Sequence, residues 1–372
     1  MKRDFLFVVI SLVTWGIGEG AFMYFQPLYL QELGASPIMI GSILGTMGLA
    51  MTVVHMPAGY LADRFGRKQL MLAAWGMGIL TTGLMALSQS LVPFSIAVIL
   101  YSLSVFVIAP LNSYATAARG RVSVEQALTT TNAAFFLGGI AGPLIGGLLA
   151  DRFGLRSIYF FAFSIFILSA LIILLIKPQP IEADRTNSAK DLIKNQAFIR
   201  YLPFVFLISL VLFLPQPLAP NYLQNQLGIS LQTIGFLGAV TNLGNVLLNL
   251  AFGLLPAQIG LILGQVFVGA FAFLVWRFSQ LPILAVGYFL LGGFRATRSL
   301  LMAQSEKMVN PANLGLAYGI LETVAGSAMV VAPPIAGALY TANPKSIFSI
   351  SVVMITAVLA FTVMRRKTAW NT

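Results

Sequence analysis

Four charged side chains interrupt long apolar runs: Glu19, Arg295, Arg298 and Glu322. A charge at mid-bilayer costs roughly 2.5–3.5 kcal/mol on insertion scales, so each needs a compensating role. Glu19, in WGIGEGAF, lies about 14 residues into its run, or roughly 21 Å at a helical rise, near mid-depth. Its carboxylate can carry a proton or contact a cation, and its own run offers no cation to pair with it. Arg295 and Glu322 lie at matching depths, about eight and nine residues from the same side of neighbouring runs, and Arg298 follows Arg295 by one turn. Two readings stay open for these three. An Arg–Glu pair could join two helices, or a guanidinium could hold an anionic substrate group and tune a carboxylate.

Amides form a second set of candidates. Asn242, Asn245 and Asn249 fall within about 60° of one another on a helix, where they could line a polar cavity or bond between helices. Gln216 and Asn221 sit in LPQPLAPNYL, where Pro215, Pro217 and Pro220 break a run; broken helices are tolerated where they line a cavity. Asn112 and Tyr114 are lesser candidates, and His55, the only His, reads as a packing residue. With one His, no Cys and no convergent carboxylates, no catalytic or metal-binding set is expected, and no cofactor. No Gly-Lys-Ser/Thr loop is present to bind a nucleoside triphosphate.

The elements that must position these groups follow from composition. Hydrophobic residues are 58% of the chain and mean hydropathy is +0.89, beyond what a soluble domain can cover. The expected fold class is an all-α polytopic membrane protein. Twelve runs reach spanning length: 5–31, 37–62, 69–88, 91–118, 127–149, 157–176, 200–222, 231–252, 259–276, 281–303, 313–339 and 346–364. They are continuous and about twice as long as the alternating strands of a membrane barrel. MKRDFLFVVISLV resembles a signal peptide, but the run lacks a small-residue cleavage site and reads as a retained first span.

The net charge of +11 is a topology signal rather than a nucleic-acid footprint. Sixteen of the 22 Lys and Arg fall on one side of a twelve-span arrangement, against Arg152, Arg156, Arg277 and Lys345 on the other. Both termini are therefore expected in the cytoplasm, with the basic side gripping anionic headgroups. The polar stretch from Lys177 to Arg200 separates six runs from six, giving expected bundles at 1–177 and 200–372 joined by a cytoplasmic linker, 178–199. Faint internal similarity crosses it: GYLADRFG at 59 pairs with GLLPAQIG at 253, and GPLIGG at 142 with PPIAGA at 333. Such duplication builds many secondary transporters, with the substrate held between repeats.

Gly59, Leu61, Ala62, Asp63, Arg64, Gly66, Arg67 and Lys68 together resemble the signature loop of the major facilitator superfamily. The resemblance implies that family's fold over the whole chain, with twelve helices in two six-helix pseudo-repeats. It also implies a central cavity lined by helices one, four, seven and ten. On the family's pattern this loop is a latch for the outward-facing state, a role carried onto Gly59, Asp63, Arg64, Gly66, Arg67 and Lys68. The second half has Ala257 and Gln258 in place of Asp and Arg, so the latch is expected on one half only.

GGIAGPLIGG, with Gly138, Gly142, Pro143, Gly146 and Gly147, is similar to the fifth-helix signature of the family's antiporters, drug exporters above all. Its small residues would give a kinked helix with a smooth interdomain face. One departure is that the fourth run lacks the Arg usual in proton-coupled drug exporters. The expectation is a monomeric inner-membrane transporter exporting small amphipathic compounds in exchange for protons. The alternative is a symporter or uniporter for an organic anion or other polar solute, favoured by Arg295 and Arg298.

Overall fold

A computed structural model describes the backbone of residues 3–179, 195–305, 308–309 and 314–368. It describes their side chains except those of 55–65, 109, 124–125, 314–316 and 365–368. Every regular element among the described residues is helical. In chain order these are α1 (Arg3–Met23), α2 (Gln26–Glu32), α3 (Pro37–Phe65), α4 (Arg67–Leu87), α5 (Leu91–Leu103), α6 (Ile108–Ala118), α7 (Val124–Phe153) and α8 (Arg156–Leu174). A 3-10 turn, Ser104–Val107, joins α5 to α6. There follow α9 (Gln196–Phe213), α10 (Ala219–Leu227), α11 (Leu231–Gly253), α12 (Ala257–Arg277), α13 (Leu281–Leu291), α14 (Gly293–Ser305), α15 (Leu314–Ala342) and α16 (Ser346–Thr368). Most of the expected linker falls outside the described residues.

Eleven stretches are long and apolar enough to cross a membrane, among the described residues. The expected run at 281–303 is instead two shorter helices, α13 and α14, meeting at Gly292. A Cβ on Gly292 would lie 2.2 Å from the backbone carbon of Gly244, so the absent side chain lets α11 approach where the helix breaks. Two other runs break at proline. Pro27 opens α2 after α1 ends, and Pro220 opens α10 after Pro215 and Pro217 have ended α9.

The chain forms two compact units, and neither follows the sequence halves fully. The first contains residues 1–35, 50–185 and 229–239; the second contains 36–49, 186–228 and 240–372. In the first unit α1 packs along α7 and α8, and α4 packs along α8. Glycines let the α1 and α7 backbones touch: a Cβ on Gly138, Gly142 or Gly146 would lie 2.1, 2.5 or 2.2 Å from the carbonyl oxygen of Val13, Ile17 or Ala21. Gly147 and the Pro143 carbonyl meet Leu231 and Gly235 at the start of α11, while the Pro143 ring also lies against Gly20 of α1. The antiporter-like stretch therefore has two working faces rather than one.

A polar knot closes the first unit's core. The Trp75 indole donates to Ser11 Oγ at 3.0 Å and Ser169 Oγ at 2.9 Å, and Ser169 Oγ donates to the Ser11 carbonyl at 2.7 Å. All three residues are buried, so α1, α4 and α8 are joined by hydrogen bonds with no competing water. Ser169→Ala is expected to lower stability by about 1 kcal/mol, the scale of polar contacts between membrane helices. An unfolding midpoint unchanged in detergent would refute this.

In the second unit α12 packs against α14 and α16, and α9 against α15. Gln265 Nε2 donates to Thr362 Oγ1 at 3.2 Å, and Tyr201 OH to the Leu301 carbonyl at 3.0 Å. The start of α3 lies on α15: Cβ atoms on Gly41, Gly45 and Gly48 would meet the carbonyl oxygens of Pro333, Val330 and Met329 at 2.3, 2.6 and 2.6 Å. This seam mirrors the α7–α11 seam of the first unit. The similarity between GPLIGG and PPIAGA thus corresponds to two equivalent packing surfaces.

Candidate functional site

Glu19 is half-buried on α1, within an aromatic cluster of the first unit. Its Oε2 accepts hydrogen bonds from the Trp15 indole at 2.9 Å and the Tyr101 hydroxyl at 2.7 Å, both neutral donors. Spacing explains the first bond, because residues four apart share a helix face. The second reaches across to α5. Trp15 stacks on Phe166 of α8 at 4.1 Å between centroids, and Tyr101 packs edge-on against Phe22 at 5.2 Å. Trp15, Tyr101, Phe22 and Phe166 are all buried, so the carboxylate is held rigidly against an apolar wall. That arrangement can hold or release a proton, or place one negative charge opposite a cationic group. Sequence reasoning found Glu19 and missed Trp15 and Tyr101. The i, i+4 spacing in WGIGE carried the signal for Trp15, while nothing local marked Tyr101.

In the second unit Arg298 on α14 forms an ion pair with Glu322 on α15 through Nη2 and Oε2. Its Nη1 also approaches Met329 Sδ at 3.7 Å, while its Nε is buried without a hydrogen-bond partner. Arg295 is exposed one turn away. Asn245 Nδ2 donates to Asn242 Oδ1 at 3.3 Å, and both residues are buried on α11, whereas Asn249 is exposed. Gln216 is half-buried and donates to the Leu212 carbonyl at 2.8 Å, satisfying the end of α9. The structure thus brings Arg298 and Glu322 together, and Asn242 and Asn245, and leaves Asn249 and Gln216 apart from either pair.

The side chains of Asp63 and Arg64, like the packing of Gly59, lie outside the described residues. Gly66 turns the chain between α3 and α4 with φ +86°, a conformation that favours glycine. After it, Arg67 Nη1 donates to Gln179 Oε1 at 3.2 Å and Lys68 Nζ to the Leu174 carbonyl at 3.3 Å, at the end of α8.

The same octapeptide pattern recurs as GLLADRFG at 147–154, identical to GYLADRFG except at the second position. Gly154 has φ +81°, as Gly66 has +86°, and the residue matching Lys68 is Arg156. Arg156 Nε donates to the Ala86 carbonyl at 2.7 Å and Nη2 to that of Leu87 at 3.3 Å, at the end of α4. Each repeat therefore supplies a basic residue that caps the C-terminus of the other repeat's second helix, and α4 and α8 run antiparallel. Arg156→Met is expected to cost up to about 1 kcal/mol by exposing two terminal carbonyls to an uncompensated dipole. Thermal unfolding checks this, and a midpoint equal to wild type would remove the cap from the account.

The Major Facilitator Superfamily model matches residues 7–214 and again 201–371. An uncharacterized MFS-type transporter of Methanocaldococcus jannaschii is 27% identical over 287 residues, 73% of this chain and 72% of that one. The multidrug resistance protein MdtG of Escherichia fergusonii is 29% identical over 220 residues, 57% of this chain and 54% of that relative. The nucleoside transporter NupG has a TM-score of 0.82 at 15% identity, covering 98% of this chain and 99% of that one, which shows a shared fold. A bacterial Spinster homologue gives a TM-score of 0.74 at 14% identity, covering 98% and 96%. Helices, motifs and matches agree: the chain belongs to the Major Facilitator Superfamily and is an integral membrane transporter of small molecules.

Proposed function

We propose that the protein exports small amphipathic compounds in exchange for protons by alternating access, with residues 1–177 and 200–372 as its moving halves. The observation that carries this reading is the Glu19 carboxylate, held by two neutral donors against buried rings. A carboxylate so placed can exchange a proton for a lipophilic cation with little rearrangement. The aromatic faces beside it suit apolar and cationic substrates. The resemblance to MdtG, named a multidrug resistance protein, supports the same class. Positive-inside bias supports an inner-membrane orientation with the basic ends in the cytoplasm. Gly66, Arg67 and Lys68 act on this reading as the described part of a latch with Gly59, Asp63 and Arg64.

A polar or anionic solute is the second reading, favoured by the buried unpartnered Nε of Arg298 beside exposed Arg295. Efflux of fluorescent lipophilic cations from energised cells separates the two. Efflux above the empty-vector level that a protonophore abolishes supports the first. No efflux, together with accumulation of a labelled organic anion lost in Arg295→Gln, supports the second.

A further inference from the structure

A cavity of about 410 Å³ lies in the first unit, away from Glu19, where α4 begins, α6 ends and α7 begins. Arg67, Asn112, Ser113, Thr116, Arg119 and Leu128 line it, and among the described residues its lining contains no carboxylate. Arg119 donates to the Thr116 carbonyl, a neutral partner, and its charge remains uncompensated by any ion pair among the described residues. The side chains of Asn112, Ser113 and Thr116 make no hydrogen bond with another described residue, although all three are half-buried. Two hydroxyls, an amide and two guanidiniums therefore converge on one space.

Basic residues outnumber acidic ones among the described surroundings, where Asp4 is also found. Asp4 Oδ2 accepts from the Lys177 backbone at 3.4 Å, and Tyr114 OH donates to the Lys177 carbonyl at 2.7 Å, so α1 begins and α8 ends at this end of the unit. Arg3, Lys68, Arg121 and Lys177 all belong to it. Gln179 ties the rim together, accepting from Arg67 and donating to the Tyr114 carbonyl at 3.1 Å. The ends of spanning helices lie at headgroup depth, where basic pockets between helices hold lipid phosphates. The donors lining the cavity suit an oxyanion with several acceptor oxygens. The volume is enough for a phosphate with a short glyceryl or similar group.

We infer that this cavity is a phosphate-binding site, separate from the transport site, that takes an anionic phospholipid headgroup or a free phosphate of the same chemistry. Arg119 supplies the charge, Asn112, Ser113 and Thr116 the orienting donors, and Leu128 the apolar wall.

Thermal unfolding of the purified full-length protein in neutral detergent tests it. Short-chain phosphatidylglycerol, phosphatidylcholine of equal chain length, and inorganic phosphate against chloride at equal ionic strength are titrated separately. Phosphatidylglycerol is expected to raise the midpoint more than phosphatidylcholine does. Arg119→Gln is expected to weaken its apparent affinity about tenfold, the scale of one lost charge-assisted hydrogen bond. The paired substitution Ser113→Ala with Thr116→Val, which removes donors and no charge, should weaken it as well. Arg277→Gln, in the second unit, removes one positive charge elsewhere and should leave the response unchanged. If inorganic phosphate gives the same saturable, Arg119-dependent rise, the site stands with a soluble ligand. Equal responses to the two lipids together with no response to inorganic phosphate, or an Arg119→Gln response equal to wild type, overturn it.

Discussion

Glu19→Gln is expected to reduce protonophore-sensitive efflux to the empty-vector level while leaving the protein folded. Gln keeps the shape and can still accept from Trp15 and Tyr101, whose donors lie 2.9 and 2.7 Å from Oε2. What it loses is the exchangeable proton and the negative charge. The effect is therefore expected on transport and not on the unfolding midpoint. Tyr101→Phe makes the informative companion. It keeps the ring against Phe22 and Phe166 and removes one donor of a buried pair. Losing about 0.5–1.5 kcal/mol of positioning predicts a fall of roughly two- to tenfold with protonophore sensitivity intact. Wild-type efflux from Glu19→Gln would remove Glu19 from the transport step and shift attention to Arg298 and Glu322.

Gly142→Val is expected to have the largest structural effect. A Cβ at Gly142 would fall 2.5 Å from the Ile17 carbonyl oxygen and 2.7 Å from the Ala21 backbone nitrogen. Both obstacles are backbone, so no side chain can swing aside, and α1 must separate from α7. Overpacking of this kind costs about 1–3 kcal/mol for side-chain obstacles and more where backbone must move. Against a total stability of about 5–15 kcal/mol, that is enough to deplete the folded fraction. Recovery of monodisperse protein after detergent extraction should fall sharply, and the midpoint of what survives should drop. Gly76→Ala is the matched control, since nothing lies within 4 Å of its Cβ position. It should be neutral or stabilising by up to about 1 kcal/mol, from helix propensity. Equal behaviour of the two variants would contradict the close α1–α7 seam.

The 66–68 and 154–156 turns show how reading and structure complement each other. The signature loop was legible because charge is scarce in this chain, and four charged residues in GYLADRFGRK stand out against 58% hydrophobic composition. Its copy at 147–154 was equally present in the letters. The repeat gained meaning only when Lys68 and Arg156 were seen capping opposite ends of an antiparallel pair. Likewise GPLIGG advertised close packing, but one string of small residues cannot say that Gly142 and Gly146 serve α1, Gly147 serves α11 and Pro143 touches both.

Hydrophobic length determined the class of this protein from sequence alone, because backbone in lipid must satisfy its own hydrogen bonds and a helix run of that length does so. The family followed from a local motif of charge and glycine. Scarcity likewise exposed Glu19, Arg298 and Glu322, since a buried charge is too costly to be incidental. Only the tertiary structure decided their partners. Arg298 pairs with Glu322, and Glu19 meets Tyr101 from a helix 82 positions away. The break at Gly292 and the assignment of 36–49 and 229–239 to units outside their own sequence halves were also tertiary decisions. The physical reason is common to all of them. Periodicity and composition report which face of a helix is apolar, whereas partner choice depends on which helices the fold brings together, as at the glycines between α1 and α7.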